Sequence, residues 1–304
     1  MATQVLNASL VAPPAYATNT SEKRVFHGVT GAAYVLPADI EEGERLDSQH
    51  EIVKHIFGNR ILYAPIAISG DDEVLDNGTG TGAWIFDMAQ ALPPSVSFYG
   101  VDLHTRLVPA QPPSNIHFSA TSFLDLPPSW SSKFALVNQR LMVAALKQDE
   151  WTTCAREIMR VLRAGGWVQL VEICAHVFTT TGAREEDGTR ISDMMGHLFR
   201  RKGLVQDCYK DLSGLLRREG FVNVSVEERS VPLGEWSGED GARSLYNLVG
   251  VYRALKNPIL AAGGFGMVNS PEEYDEYVDR FVKRCNEREG IVTKWYAICG
   301  QKPE

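Results

Sequence analysis

Apolar residues along this chain fall into two alternating patterns: short runs of strand length and longer stretches with helical spacing. Strand-like runs, bounded by glycine, proline or acids, occupy residues 73–75, 96–101, 116–119, 134–137 and 167–173. Helical spacing between them occupies residues 83–92 and 149–162. Strands and helices that alternate on this scale predict a parallel sheet with helices on both faces.

The chain ahead of this alternation divides into two parts. Residues 1–27 are rich in small and polar residues without periodicity, so we expect a flexible arm there. Residues 38–58 have helical spacing, with apolar side chains on shared faces and acids opposite, and Gly58 predicts the end of that helix. We expect a single domain over residues 28–304.

The last third of the chain has longer helical patterns. Residues 187–219 predict two helices that break near Gly203, and residues 239–289 are mostly helical. Strands are predicted at 222–229 and 292–299. We expect these two strands to pair antiparallel at one edge of the sheet.

A glycine-rich turn follows the first predicted strand. The strand ends in Asp76, glycines occupy alternate positions at Gly78, Gly80 and Gly82, and a helix begins near Ala83. Glycine allows a tight turn and close approach of the backbone to a ligand. The free N–H groups of the following helix favour polar or anionic ligands.

The second strand ends in another acid, Asp102, which lies 20 residues after Gly82. A carboxylate at this place can accept hydrogen bonds from both hydroxyls of a ribose, so the pattern predicts a nucleoside-containing cofactor. Asp76 before the turn suits an ammonium group, and the third glycine favours S-adenosylmethionine (SAM) over a dinucleotide. A dinucleotide site and a ligand-free turn remain alternatives.

These residues strongly resemble motif I of class I SAM-dependent methyltransferases, with Asp102 similar to the acid that closes their next strand. F-A-L-V-N-Q-R (134–140) resembles their strand-4 segment, and V-L-R-A-G-G-W-V-Q-L-V-E (161–172) their strand-5 entry. Segments 31–50, 231–236 and 300–303 resemble the fungal LaeA-like branch, which includes secondary-metabolism methyltransferases.

The resemblance covers roughly residues 31–304 and implies a fold. That fold is a doubly wound, mostly parallel, seven-stranded Rossmann-like sheet with an antiparallel edge strand. Residues 28–60 would supply a helical lid, and residues 187–219 and 239–289 would cover the acceptor side. The implied cofactor is SAM, and the implied product is S-adenosylhomocysteine.

The cofactor-binding residues that we predict come from the turn, the lid and the ends of the next three strands. They are Tyr34, Asp76, Gly78, Gly80, Gly82, Asp102, Leu103, Thr121, Ser122, Phe123, Asn138 and Gln139. By resemblance, Tyr34 bonds the carboxylate of the cofactor. Relatives often place an acid where Thr121 and Ser122 stand, beside the adenine. The alternative interpretations are a Tyr34 that packs a helix entry and an ordinary strand-end turn at Asn138 and Gln139.

Methyl transfer from a sulfonium needs positioning more than acid–base chemistry, so few catalytic residues are expected. His176 directly follows the fifth strand and is our candidate for an acceptor-side base. Its alternative is a solvated loop histidine. A helical run can wall the acceptor pocket or form an ordinary core face; it comprises Met194, Met195, His197, Leu198 and Phe199.

We expect no metal site, because His50 and His55 are five residues apart rather than four, the spacing of a helical metal pair. The net charge of −8 without a basic run argues against nucleic-acid binding. No stretch is apolar enough to span a membrane and no secretory signal is recognisable, so we expect a cytoplasmic protein, or a nuclear one if regulatory.

The leading hypothesis is a SAM-dependent methyltransferase that acts on a small organic acceptor in fungal secondary metabolism. One alternative is a regulator or scaffold with the same fold that acts through protein partners. Another is a SAM-binding enzyme that does not methylate. The sequence leaves oxygen, nitrogen, sulfur and carbon acceptors open, together with the oligomeric state.

Overall fold

One eight-stranded sheet organises the chain in the computed structural model, which describes residues 33–34, 36–37 and 39–304. The arm predicted over residues 1–27 lies outside the described residues. The strands are β1 (Glu73–Asn77), β2 (Ser97–Asp102), β3 (Ile116–Ala120), β4 (Phe134–Arg140), β5 (Leu162–Ile173), β6 (Phe178–Thr179), β7 (Val222–Pro232) and β8 (Ile291–Gln301).

Seven α-helices of the described chain surround the sheet. They are α1 (Ile40–Ile56), α2 (Ala83–Ala91), α3 (Glu150–Val161), α4 (Glu186–Lys202), α5 (Tyr209–Arg218), α6 (Glu239–Ala261) and α7 (Pro271–Glu287). Each predicted helical segment is present, and the break expected near Gly203 falls at the end of α4. None of these helices is both long and apolar enough to cross a membrane.

The strand order is β3-β2-β1-β4-β5-β8-β6, and β7 pairs with the other edge of β8. Strands β1 to β5 are parallel, whereas β8 is antiparallel to β5, β6 and β7. The predicted doubly wound sheet with an antiparallel edge is confirmed. The strand that the sequence did not indicate is β6, which has two residues and is too short to leave a periodic pattern.

The central strands are buried because helices cover both faces. Every residue of β4 except Arg140 is buried. Strand β5 begins earlier than the pattern indicated, at Leu162 rather than 167, because its pairing with β4 shifts register between Phe134 and Leu136. The result is a rigid platform whose strand ends carry the polar residues predicted for the site.

Helix α1 and the residue that ends it contribute to an apolar cluster on the sheet. Val53 of α1 and its C-cap Phe57 share this cluster with Val171 of β5 and Ala297 of β8. Helix α6 contacts α1 although the two are far apart in sequence. Arg45 of α1 donates to Asn247 Oδ1 of α6 at 3.0 Å. These two helices cover the carboxyl ends of the parallel strands.

Candidate active site

A cavity of about 440 Å³ lies at the carboxyl ends of the parallel strands, beneath α1 and α6. Its volume is within the range of small-molecule sites. Eight residues predicted to bind the cofactor line it: Tyr34, Asp76, Gly78, Gly80, Asp102, Leu103, Ser122 and Phe123. The five other predicted site residues are not among the lining residues: Gly82, Thr121, Asn138, Gln139 and His176.

The glycine turn is held by backbone hydrogen bonds to the end of β2. Gly78 and Thr79 both donate to the carbonyl of Val101, at 2.8 and 3.0 Å. Gly78 has a φ of +67°, and a Cβ built there would lie 2.7 Å from Met142 Cε. Glycine is therefore favoured here by its positive φ, and a side chain would displace the flexible end of Met142.

Gly80 needs glycine for a somewhat different reason. Its φ is +57°, and a Cβ there would meet Leu46 of α1 at 3.3 Å. A larger side chain at Gly80 would therefore disturb the contact between the turn and α1 first. The turn and α1 therefore pack against each other at this point.

Gly82 faces away from the cavity. Its φ is +81°, and a Cβ would lie 2.8 Å from Phe118 Cζ and 3.1 Å from Phe86. The third glycine therefore allows α2 to pack closely on the sheet. This position supports the turn from behind, which differs from the direct cofactor contact that we expected.

Asp102 joins the turn to the end of β2. Its Oδ2 accepts from Gly80 N at 2.9 Å and its Oδ1 from Leu103 N at 2.7 Å. Burial raises the pKa of Asp102, although the backbone N–H groups of Gly80, Leu103 and His104 and the charge of His104 oppose the shift. A carboxylate has about four lone-pair sites, so acceptor capacity remains for a ribose hydroxyl.

Asp76 is buried at the end of β1, opposite Asn138 of β4. Asn138 Nδ2 donates to Asp76 Oδ1 at 2.6 Å, and Asn138 Oδ1 accepts from Gln169 at 2.8 Å. Burial raises the pKa of Asp76 to about 6, although Arg140 and the Asn138 amide oppose the shift. Asn138 thus fixes the acid from behind.

Gln139 points to the other face of the sheet. Its Oε1 accepts from Asn77 Nδ2 at 3.3 Å and from the Cys154 thiol at 3.0 Å. The alternation of side chains along β4 explains why neighbouring residues go to opposite faces. Gln139 is a buried link between β1, β4 and α3.

The end of the cavity near Ser122, where the sequence predicts the adenine, is mostly apolar. Phe123, Leu124, Leu103 and Leu107 line it together with Ser122, whose hydroxyl accepts from Leu124 N at 3.2 Å. The neighbouring Thr121 is not a lining residue; its hydroxyl donates to Ser119 Oγ at 3.1 Å. A flat base would therefore be held by packing at this end.

Tyr34 lies beside an ion pair of α1. Arg45 donates to both carboxylate oxygens of the buried Glu42, at 2.9 and 2.6 Å. Burial, followed by the charge of Glu42, raises the pKa of Tyr34, and Asp102 is another of its charged neighbours. This places Tyr34 toward the end of the cavity that holds Asp102.

A polar cluster that the sequence did not indicate lies where α1, α2 and β4 meet. Arg140 Nη1 donates to His50 Nδ1 at 3.0 Å, and His50 Nε2 lies 3.0 Å from Asp87 Oδ2. Because arginine cannot accept, Nδ1 is the acceptor and Nε2–H donates to Asp87. Burial, and then the charge of Arg140, lower the pKa of His50.

Three possible metal ligands occur in this cluster, since atoms of His50, Glu51 and Asp87 lie within 4.8 Å of one another. Lys54 Nζ already donates to Asp87 at 2.7 Å. The ammonium group balances the acid there, so the arrangement is accounted for by hydrogen bonds and charge pairing. We therefore keep the prediction of no metal site.

The other end of the cavity is apolar. The turn after β4, helix α4 and helix α6 line it through Met142, Val143, Ala144, Ala145, Leu146, Met195, Phe199, Leu248 and Val251. The helical run predicted for α4 therefore divides between the two interpretations. Met194 and Leu198 are core residues, and His197 stacks on Phe265 with ring centroids 5.4 Å apart.

The turn after β4 is strained and well anchored. Leu141 has a φ of +59°, which is uncommon for a branched residue. Met142 N donates to Glu172 Oε1 at 2.7 Å. Burial raises the pKa of Glu172 to about 8, so this acid is largely protonated at neutral pH. The anchored turn contacts both ends of the cavity, because Met142 also packs against Gly78.

His176 has a different setting from either sequence-based interpretation. It is buried, its Nδ1 lies 2.8 Å from Ser192 Oγ, and Arg184 Nη2 lies 3.2 Å from its Nε2. Burial, and then the charge of Arg184, lower its pKa. It is neither a residue of the cavity wall nor a solvated loop histidine, so we do not assign it as a base.

Comparison with known proteins agrees with this geometry. A family profile described as a methyltransferase domain matches residues 74–166. The N-methyltransferase gliN of Aspergillus fumigatus is 34% identical over 286 residues, which cover 89% of this chain and 96% of gliN. The chain belongs to the class I methyltransferases.

Two further similarities concern a regulator and a solved structure. The secondary metabolism regulator LAE1 of Hypocrea atroviridis is 32% identical to this methyltransferase over 214 residues, which cover 67% of the chain and 59% of LAE1. The structure of a putative methyltransferase with the Haloferax volcanii Trm112 activator matches with a TM-score of 0.50 and 15% identity. That match covers 88% of this chain and 96% of the other, and shows the fold alone.

Proposed function

We propose that this methyltransferase binds SAM at the end of the cavity that holds Asp102 and transfers its methyl group to a nitrogen of a small, largely apolar acceptor. The observation that carries the proposal is the continuity of one cavity from the glycine turn to the apolar wall. Both reactants would then meet beside Asp76 and Met142. Such a shared, covered space supplies the proximity that methyl transfer needs.

The residues present fit the cofactor of this family. Asp102 keeps acceptor capacity for a ribose hydroxyl, Phe123 and Leu103 offer apolar surface for adenine, and Asp76 offers a carboxylate for an ammonium group. Gly78 has no side chain, so Met142 packs against its backbone at the cavity wall. SAM, when bound, supplies a methyl group already activated by a sulfonium charge.

A nitrogen acceptor is supported by two features. A neutral amine carries its own lone pair, so it needs no base, and the acceptor end is lined mainly by apolar side chains. The name of gliN, an N-methyltransferase, points in the same direction. Helices α1 and α6 over the strand ends would exclude water from the reactants.

The regulator alternative is less favoured, because the cavity retains a complete cofactor end and gliN is matched over nearly its whole length. All five cysteines are buried free thiols. This supports our further proposal that the protein works in a reducing compartment such as the cytoplasm.

A product assay tests the proposal. The purified protein would be incubated with SAM and matched panels of amine, alcohol, thiol and activated-carbon acceptors, and S-adenosylhomocysteine release would be measured. We expect release with apolar amines and not with their alcohol counterparts. Cofactor binding in calorimetry without turnover on any panel would contradict the enzymatic assignment and favour the regulator.

A further inference from the structure

Two arginines line the cavity, and their surroundings differ. Arg45 is neutralised by both carboxylate oxygens of Glu42. Arg140, at the end of β4, has no carboxylate within salt-bridge distance among the described residues. Its one hydrogen bond in that part of the chain goes from Nη1 to the neutral ring of His50.

A half-buried cation without a carboxylate partner is costly, and desolvation lowers the pKa of the Arg140 guanidinium. The guanidinium is nevertheless held in place. His50 accepts from it and is itself fixed by Asp87, which Lys54 neutralises. This chain of contacts orients the guanidinium while leaving its remaining N–H donors for a ligand.

The position of Arg140 relates it to Asp76. Arg140 lies two residues beyond Asn138 on β4, so both side chains are on the face of the sheet where Asn138 holds Asp76. Asp76 and Arg140 influence each other electrostatically but form no direct ion pair. Two opposite charges, close but separate, are the complement of an α-amino acid zwitterion.

We propose that Arg140 binds the carboxylate of the amino-acid end of the cofactor, while Asp76 receives its ammonium group. The inference rests on the proposed function. It replaces Tyr34 as the carboxylate partner, because Arg140 offers a charged fork whereas Tyr34 offers one neutral hydroxyl among the charges of Glu42, Arg45 and Asp102. An arginine fork can hold a carboxylate through two parallel hydrogen bonds.

Calorimetry with three nucleosides tests this role without turnover. S-adenosylhomocysteine carries both charges, decarboxylated SAM keeps the ammonium group and the sulfonium but has no carboxylate, and 5′-methylthioadenosine lacks the whole amino acid. Each would be titrated into the wild type, Arg140→Met, Arg140→Lys and Arg229→Met. The last variant removes an arginine from the exposed part of β7 and serves as the control.

In Arg140→Met we expect S-adenosylhomocysteine to bind about 10- to 100-fold more weakly, as the loss of charge-assisted hydrogen bonds implies. The affinity of methylthioadenosine and of decarboxylated SAM should change less than about twofold, because neither has a carboxylate to lose. Arg140→Lys should lie between, since it keeps the charge and loses the fork.

Unchanged S-adenosylhomocysteine affinity in Arg140→Met would overturn the inference. If only the acceptor KM rose, Arg140 would bind an anionic group of the acceptor instead of the cofactor carboxylate. If Arg140→Met loses every ligand, Arg140→Lys decides, because an equal loss of all three there means a structural role. Wild-type protein that binds methylthioadenosine as tightly as S-adenosylhomocysteine would overturn this inference alone. Wild-type protein that binds neither would overturn the proposed function as well.

Discussion

The two ends of the cavity are constructed differently. The cofactor end comes mainly from one continuous stretch, in which β1, the glycine turn and β2 supply Asp76, Gly78 and Asp102. The acceptor end combines the turn after β4 with α4 and α6, which are far apart in sequence. Local geometry therefore determines the first end, whereas tertiary packing determines the second.

This difference has a functional consequence. Backbone hydrogen bonds and positive φ angles fix the cofactor end, and few side-chain changes would be tolerated there. The acceptor end is formed by aliphatic and aromatic side chains whose exchange changes shape but not the fold. Changes of acceptor can therefore evolve in α4 and α6 without altering how the cofactor is held.

The largest effect is expected from Gly78→Ala, which should abolish cofactor binding. The new methyl group would push the flexible end of Met142 into the cavity, and φ at this position is +67°. Gly70→Ala is a matched control, because its φ is +60° but no described atom lies within 4 Å of its Cβ. Calorimetry with S-adenosylhomocysteine and thermal unfolding would compare the two variants.

The backbone strain should cost both variants about 1–2 kcal/mol of stability, and only Gly78→Ala should lose binding. If Gly70→Ala lost binding equally, the effect would come from general destabilisation. The cofactor end would then not be defined by this close approach.

A second, smaller effect is expected from Asp102→Ala. SAM binding should weaken by about 1–3 kcal/mol, because the ribose hydroxyls lose a charged acceptor. Stability should also fall, since Gly80 N and Leu103 N lose their partner. Asp102→Asn separates the two effects, because its amide oxygen can still accept one N–H. A dissociation constant equal to that of the wild type would remove Asp102 from the ribose role.

Val251→Phe, at the acceptor end, should weaken acceptor binding and leave cofactor binding unchanged. Val251 lines the cavity from α6 and is only partly buried, so a phenyl ring has room to enter the acceptor space. The acceptor KM should rise about tenfold, the equivalent of 1.4 kcal/mol, with cofactor affinity unchanged. Calorimetry and initial rates would be measured on the same preparation. Parallel loss of both affinities would mean that the two ends are not independent.

How well the sequence predicted each end follows from the same difference. Asp76, Gly78 and Asp102 were identified because strand ends and a glycine turn leave a contiguous pattern. The strands and helices were found for the same reason, apart from the two residues of β6. Gly82 and Gln139 were also predicted to bind the cofactor, but neither is among the residues that line the cavity. The sequence could not show this, because neither spacing nor residue type tells which face of the sheet a residue takes.

The residues that the sequence did not indicate depend on tertiary contacts. Arg140 is oriented by His50, which Asp87 holds in turn, and these two residues lie on helices that meet only in the fold. One signal was present, since Arg140 follows Asn138 by two residues and therefore shares its face. His176 was predicted as a base because it follows β5, but its ring contacts Ser192, Arg184 and Asp207 and is not among the residues that line the cavity.

Glu172→Gln is expected to have the smallest effect, and it concerns the turn that connects the two ends. The folded pKa of about 8 exceeds the usual value of 4.5, so the folded protein keeps a proton that the unfolded chain releases. Stability should therefore fall as pH rises from about 4.5 to 8. Glutamine is neutral throughout and can still accept from Met142 N, so the variant should lose this decline.

Urea unfolding at about pH 4 and at pH 9 would measure the effect. The two proteins should be nearly equally stable at about pH 4, where Glu172 is neutral in both the folded and the unfolded chain, and Glu172→Gln should be the more stable at pH 9. Cofactor affinity and acceptor KM should both stay constant at pH 6, because the Met142 turn keeps its anchor. If the variant were less stable at both pH values, Glu172 would hold the turn as a carboxylate, and Met142 would join the two ends of the cavity through a charged anchor.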